Sequence, residues 1–170
     1  MSFLSRLLGY AAKQEAAGAR LEQGERWVVP PTRDAAAVLR SLPILFPADA
    51  FVYFEGTTEN HFAEWLAAHS IAAPLKVAHG TIWPKPDFYH VPLRSELLEE
   101  GADLVDRKGI SLPAIHLHVH DGERVLLEWH DAFYDDPMYV AASLPRNRVE
   151  EFARAIGAGE VTRVTGRGDR

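Results

Sequence analysis

The 170-residue chain contains no cysteine. That excludes a disulfide framework, a thiolate zinc site and a cysteine nucleophile together. Long apolar runs are missing as well. No stretch approaches the roughly 20 residues that span a bilayer, and Met1-Ser2-Phe3-Leu4-Ser5-Arg6-Leu7-Leu8 lacks the extended apolar core of a secretory signal. The expected location is the cytoplasm, with no membrane contact. Glu55-Gly56-Thr57-Thr58 follows a strand-like segment, but neither further glycines nor a lysine follow, so a phosphate cradle is not expected there. A Gly-x-Ser-x-Gly nucleophile elbow is also lacking.

Positive charge is scarce where it would matter. The formal net charge is −6, and residues 23–143 hold −9 of it, against +1 in residues 1–22 and +2 in residues 144–170. A body this acidic repels phosphate backbones and anionic lipid, so no nucleic-acid partner is expected.

What is present is the ordinary mix of a globular domain: 47% hydrophobic and 25% charged residues. The length suits one domain over residues 1–170. Residues 1–22 read as an N-terminal helix docked on the body, with Phe3, Leu4, Leu7, Leu8 and Ala11 on one stripe; residues 162–170 read as a frayed tail. Thr32 and Pro43 bracket a second helix, Phe62, Trp65, Leu66 and His69 share the inner stripe of a third, and Ser95 to Arg107 forms a fourth that Gly109 stops. The last helix starts near Pro145 and buries Val149, Phe152 and Ile156. Strands are expected at Trp27–Val29, Ala50–Phe54, Leu75–Trp83 and Met138–Ala142, with a hairpin from Pro113 to Asp131. The fold class is α/β (mixed α+β): a single mixed sheet of about five strands, with one β-α-β unit and one antiparallel hairpin, covered by about five helices.

The hairpin carries the clearest local signal. Ile115-His116-Leu117-His118-Val119-His120 alternates strictly, sending three imidazoles to one face and three apolar side chains to the other. Two turn lengths compete around Asp121-Gly122. A three-residue loop with Gly122 left-handed collects Ile115, Leu117, Val119, Val125, Leu127 and Trp129 on one face, and His116, His118, Arg124, Leu126, Glu128 and His130 on the other. This cleaner segregation selects the three-residue loop. On the polar face His116, His118 and Glu128 offer two imidazoles and a carboxylate, a set suited to zinc or iron. The spacing His116-x-His118-x4-Glu123 resembles part of the cupin metal motif over eight residues, but the flanking glycines are misplaced, and the family is not adopted.

The segment Thr81 to His90 holds two prolines among Trp83, Phe88, Tyr89 and His90. Prolines stiffen a loop, so this aromatic surface could hold a partner with little ordering loss. Asp131, Asp135 and Asp136 crowd the chain after the hairpin in the manner of a turn. No complete catalytic constellation is visible. The reading favours a non-enzymatic protein-binding module, an adaptor or immunity-type protein without cofactor, whose partner is another protein held by Trp83, Phe88, Tyr89 and His90. The alternative is a metal-dependent hydrolase with zinc or iron at His116, His118 and Glu128.

Overall fold

A computed structural model of the protein describes residues 18–57, 60–78, 80–81 and 86–165. Residues 1–17 of the helix predicted over residues 1–22 lie outside them, as does Trp83; the described remainder is not helical but extended, with isolated bridges at Ala19 and Leu21. Among the described residues seven strands form one sheet: β1 (Arg26–Val29), β2 (Phe51–Glu55), β3 (Phe88–Pro92), β4 (His116–His120), β5 (Val125–Trp129), β6 (Met138–Ala141) and β7 (Thr162–Val164). Their order is β3-β2-β4-β5-β6-β1-β7, and every pairing is antiparallel. The described residues contain four helices: α1 (Ala35–Leu45), α2 (Asn60–His69), α3 (Ser95–Lys108) and α4 (Arg146–Ala155).

The helices form where apolar spacing and capping agree. Asp34, not Thr32, caps α1 by accepting a hydrogen bond from the Ala37 amide at 2.8 Å. Pro43 sits inside α1 instead of ending it. Pro43 cannot donate to Leu39 O, yet one turn later the Phe46 amide still reaches Leu42 O at 3.0 Å. Leu98, Gly101, Ala102 and Val105 are the buried face of α3, and Val149, Phe152 and Ala153 that of α4. These faces join Val29, Val52, Phe54, Val91, Leu117, Val119, Leu127, Trp129 and Val140 of the sheet in one large core.

Three expectations about the sheet are corrected. The mixed sheet of about five strands is an antiparallel sheet of seven. The β-α-β unit is absent because the chain leaves β2 at Glu55 and, after α2, runs back to re-enter beside it, so that Phe88 pairs with Glu55 and β3 lies antiparallel to β2. The strand expected at Leu75–Trp83 is reduced, among the described residues, to an isolated bridge between Val77 and Ala19. Of the predicted frayed tail, Thr162–Val164 forms a strand, while residues 166–170 lie outside the described residues. Thr162–Val164 pairs with β1, where the Arg163 guanidinium lies 5.0 Å from the Trp27 ring centroid and forms an ion pair with Glu25.

The hairpin adopts neither expected turn. His120 pairs with Val125 around a four-residue loop, and a bulge between Val119 and His120 then sets Val119 opposite Leu127 and Leu117 opposite Trp129. The Asp121 carboxylate fixes the loop by accepting from the Glu123 and Arg124 amides at 3.0 and 2.7 Å. Gly122 is left-handed, as expected, with φ 93°. Val119, Leu127 and Trp129 do share the buried core face. The bulge exchanges two neighbours: Leu126 joins that core, while Val125 turns to the opposite face with Leu21, Tyr53 and Val77.

Candidate functional site

The face of the sheet turned away from the helices is where chemistry-bearing side chains collect. Alternation along β2 places Phe51, Tyr53 and Glu55 on it, and β4 adds His120, His118 and His116 directly opposite them. His90 arrives from β3 opposite Tyr53, and Glu128 from β5 opposite His118. His130 follows just after β5, its ring centroid 5.2 Å from that of His116 and 5.0 Å from that of His118.

These groups are closed in. Glu55, His118 and His120 are 0% exposed, His90 5% and His116 6%. Above them run residues 18–21, joined to Val77 and Val125 by isolated bridges, and the segment that includes Gly80 and Thr81. Glu55 holds that segment down: its carboxylate accepts from the Gly80 amide at 3.1 Å, from the Thr81 amide at 2.6 Å and from the Tyr53 hydroxyl at 3.3 Å. Only glycine fits at position 80, because a Cβ there would lie 2.7 Å from His116 Nε2. Glu128 performs the same task for the other part of the cover by accepting from the Leu21 amide at 2.8 Å.

Hydrogen bonding fixes two tautomers. The Gly122 amide donates to His120 Nδ1 at 3.2 Å, so in the neutral ring the proton is on Nε2, which donates to His90 Nδ1 at 2.9 Å. The Asp131 amide donates to His116 Nδ1 at 3.0 Å, which leaves Nε2–H directed toward Glu55 Oε1 at 3.8 Å. His118 is different. It stacks on Tyr53 at 5.5 Å between centroids, and both of its ring nitrogens are buried without a hydrogen-bond partner among the described residues. Each such orphaned group costs about 1–3 kcal/mol of stability.

Burial keeps these rings neutral. Desolvation lowers His90 to about 4, with His120 adding to the effect, and lowers His120 to about 4 despite the opposing Asp121. It holds His118 well below the usual histidine range, helped by His130, His116 and Arg20. His116 is lowered too, although Glu55 pulls the other way. Burial, with Glu55 adding to it, likewise raises the Tyr53 phenol. His90, His116, His118 and His120 are therefore neutral imidazoles under a polar-anchored cover.

The predicted metal residues His116, His118 and Glu128 lie on this one face, but their polar atoms have other work: His116 meets Asp131 and Glu55, and Glu128 meets Leu21 and, at 3.9 Å, His130. Among the described residues no group of three or more His, Asp or Glu side chains could hold a metal ion. Arg124, expected beside His118, is instead exposed on the hairpin loop and paired with Asp121. Of the aromatic set, Phe88, Tyr89 and His90 belong to strand β3 and not to a loop. Phe88 and Tyr89 are half-buried, and His90 is inside the histidine face. His69 is a half-buried boundary residue whose Nδ1 meets Trp65 O at 2.8 Å. Of the acidic turn, Asp135 pairs with Arg33, and Asp136 O accepts from the Trp129 indole at 2.8 Å. Sequence reasoning missed Glu55 and Tyr53 as site residues. No helix among the described residues is long and apolar enough to cross a membrane.

Comparison with known proteins finds no family, curated protein or solved structure that matches this chain.

Proposed function

We propose that the chain is a protein-binding module without catalysis of its own, of the adaptor or immunity type, whose partner presents a basic or apolar surface. One observation carries this reading: the centre of the histidine face, Glu55, His90, His116, His118 and His120, is closed off at 0% to 6% exposure, and only His130 and Glu128 at its margin are partly open. A substrate needs an open path to such groups, whereas a partner protein needs only the outer surface. That surface is acidic through the middle of the chain, which favours attraction of a basic partner and steers its approach. Tyr89 on the helix side and Phe88 on the histidine side of edge strand β3, with Trp83 nearby in sequence, supply the aromatic part of the contact along that edge.

Elemental analysis of the dialysed protein separates this reading from a metal-dependent hydrolase. The expected result is no stoichiometric zinc or iron. About one tightly held ion per chain, lost in the His116→Ala and His118→Ala double variant, would overturn the reading, since structural and catalytic sites hold zinc tightly through such ligands. A second arm supplies the positive result. A partner crosslinked in a native extract, then purified and recombined with the chain, should bind one to one and more weakly as salt rises.

A further inference from the structure

The chain that follows α2 leaves apolar surface in solvent. From Trp65 to Leu75 the sequence carries no Asp, Glu, Lys or Arg, and Ile71, Ala72, Ala73 and Pro74 are all exposed. Ile71 is 43% exposed, and among the described residues only Tyr134 is another large apolar side chain this open. Beside Ile71 lies a groove of about 540 Å³. Ala68, Ile71, Pro92 and Leu97 give its apolar part; His69 at the end of α2 and Glu96 and Glu100 on α3 give its polar walls. A contiguous exposed apolar patch with a polar rim is the usual mark of a contact site.

The walls are preset. The Trp65 indole donates to Glu100 Oε1 at 3.2 Å, and the Trp65 carbonyl accepts from His69 Nδ1 at 2.8 Å, with the two rings 5.0 Å apart. In the neutral imidazole that leaves His69 Nε2 as an acceptor. Leu97 packs against the large core. A groove already formed spares its occupant much of the ordering loss. The neighbouring edge of β3 takes no further strand at this end. The His90 amide donates to Ser70 Oγ at 2.9 Å, and its carbonyl accepts from the Ile71 amide at 2.9 Å. Pro92 has no N–H, and its carbonyl accepts from the Arg94 amide at 2.9 Å. A partner must insert side chains here instead of adding a strand.

We infer that this groove seats a loop of the partner protein in which a leucine-sized side chain is flanked by lysine or arginine. The apolar group lies on Ile71 and Leu97, and the cations meet Glu96 and Glu100. The inference rests on the protein-binding reading above and names the kind of segment that is bound. Charge selects the occupant. Two carboxylates and an imidazole acceptor line the groove against one guanidinium, that of Arg94, and the acidic middle of the chain carries the same sign. That charge also opposes a second copy of this chain as the occupant.

Amide NMR titration with three blocked peptides tests the groove: leucine flanked by lysines, alanine flanked by lysines, and leucine flanked by aspartates. The first should give saturable shifts at Ala68, Ser70, Ile71 and Leu97. Alanine in place of its leucine should weaken binding about tenfold, and aspartate flanks should abolish it. Ile71→Ser, at an exposed position outside the core, should weaken the first peptide about tenfold. Glu96→Gln combined with Glu100→Gln, which keeps an acceptor for Trp65, should weaken it about fivefold. Equal binding of the three peptides, no saturable shift at these amides, or unchanged affinity in either variant would overturn the inference. So would concentration-dependent shifts of the same amides without peptide, which would assign the groove to a second copy. Metal content separates this failure from that of the underlying reading. Zinc or iron held by the chain sinks the protein-binding reading, whereas a silent groove in metal-free protein sinks the groove alone.

Discussion

On the helix side of the sheet, Val52, Phe54, Leu117, Val119, Leu127 and Trp129 meet the apolar faces of four helices. On the other side the same strands present Tyr53, Glu55, His116, His118, His120 and Glu128 to a cover that includes residues 18–21, Gly80 and Thr81. The first face owes its strength to apolar area removed from water, which is insensitive to pH. The second depends on polar satisfaction. Two carboxylates hold backbone amides, two histidines hold each other, and one histidine holds nothing. One alternating strand, β4, serves both faces at once, so stability and pH sensitivity are divided between its odd and even residues.

Substitutions sharpen this division. The largest expected effect is on the helix side: Trp129→Ala removes a fully buried indole and should lower unfolding free energy by about 3–5 kcal/mol. Denaturant titration checks it, and a loss near zero would mean that the helix-side core is not where stability resides. On the other face Glu55→Ala should cost about 2–3 kcal/mol, because it strips the acceptor from the Gly80, Thr81 and Tyr53 donors together. The loss should appear first as faster exchange of the Gly80 and Thr81 amides. His118→Phe should do the opposite of an ordinary core substitution and raise stability at pH 7.5 by about 1 kcal/mol, since it removes two orphaned nitrogens from a buried site. A fall of similar size would show that the imidazole has a partner in solution. The smallest effect belongs to the rim of the helix side. Asp34→Ala deletes the cap of α1 and should cost about 1 kcal/mol, with a thermal melt as the readout.

Local features were legible in the sequence wherever local rules decide. The apolar stripes of α3 and α4, the left-handed Gly122 and the His116–His118–His120 alternation all follow from periodicity and turn chemistry. The pairing of β2 with β4 does not, because a strand's own residues do not name its neighbour. Glu55 was therefore readable only as the end of a strand, and its place against His116 and the Gly80 amide emerged with the sheet order. The hairpin register failed for a related reason: the Asp121 carboxylate, by accepting two loop amides, stabilises a longer loop than face segregation alone selects. The resulting bulge exchanges Val125 and Leu126 between faces. Thr162-Arg163-Val164 looked like tail because its stabilising partners, Trp27 and Glu25, lie at the far end of the chain.

The central claim is that His90, His116, His118 and His120 on the covered face of the sheet are buried and neutral, with His116 and His120 held in defined tautomers. Nitrogen-detected NMR titration of the histidine side chains from pH 8 to pH 4 tests it most directly. The account predicts His120 as the Nε2–H tautomer bonded to His90, with both rings neutral through pH 6 and titrating only near 4. Titration of His90 and His120 near the ordinary histidine value of about 6.5, while the cover amides remain protected, would contradict it.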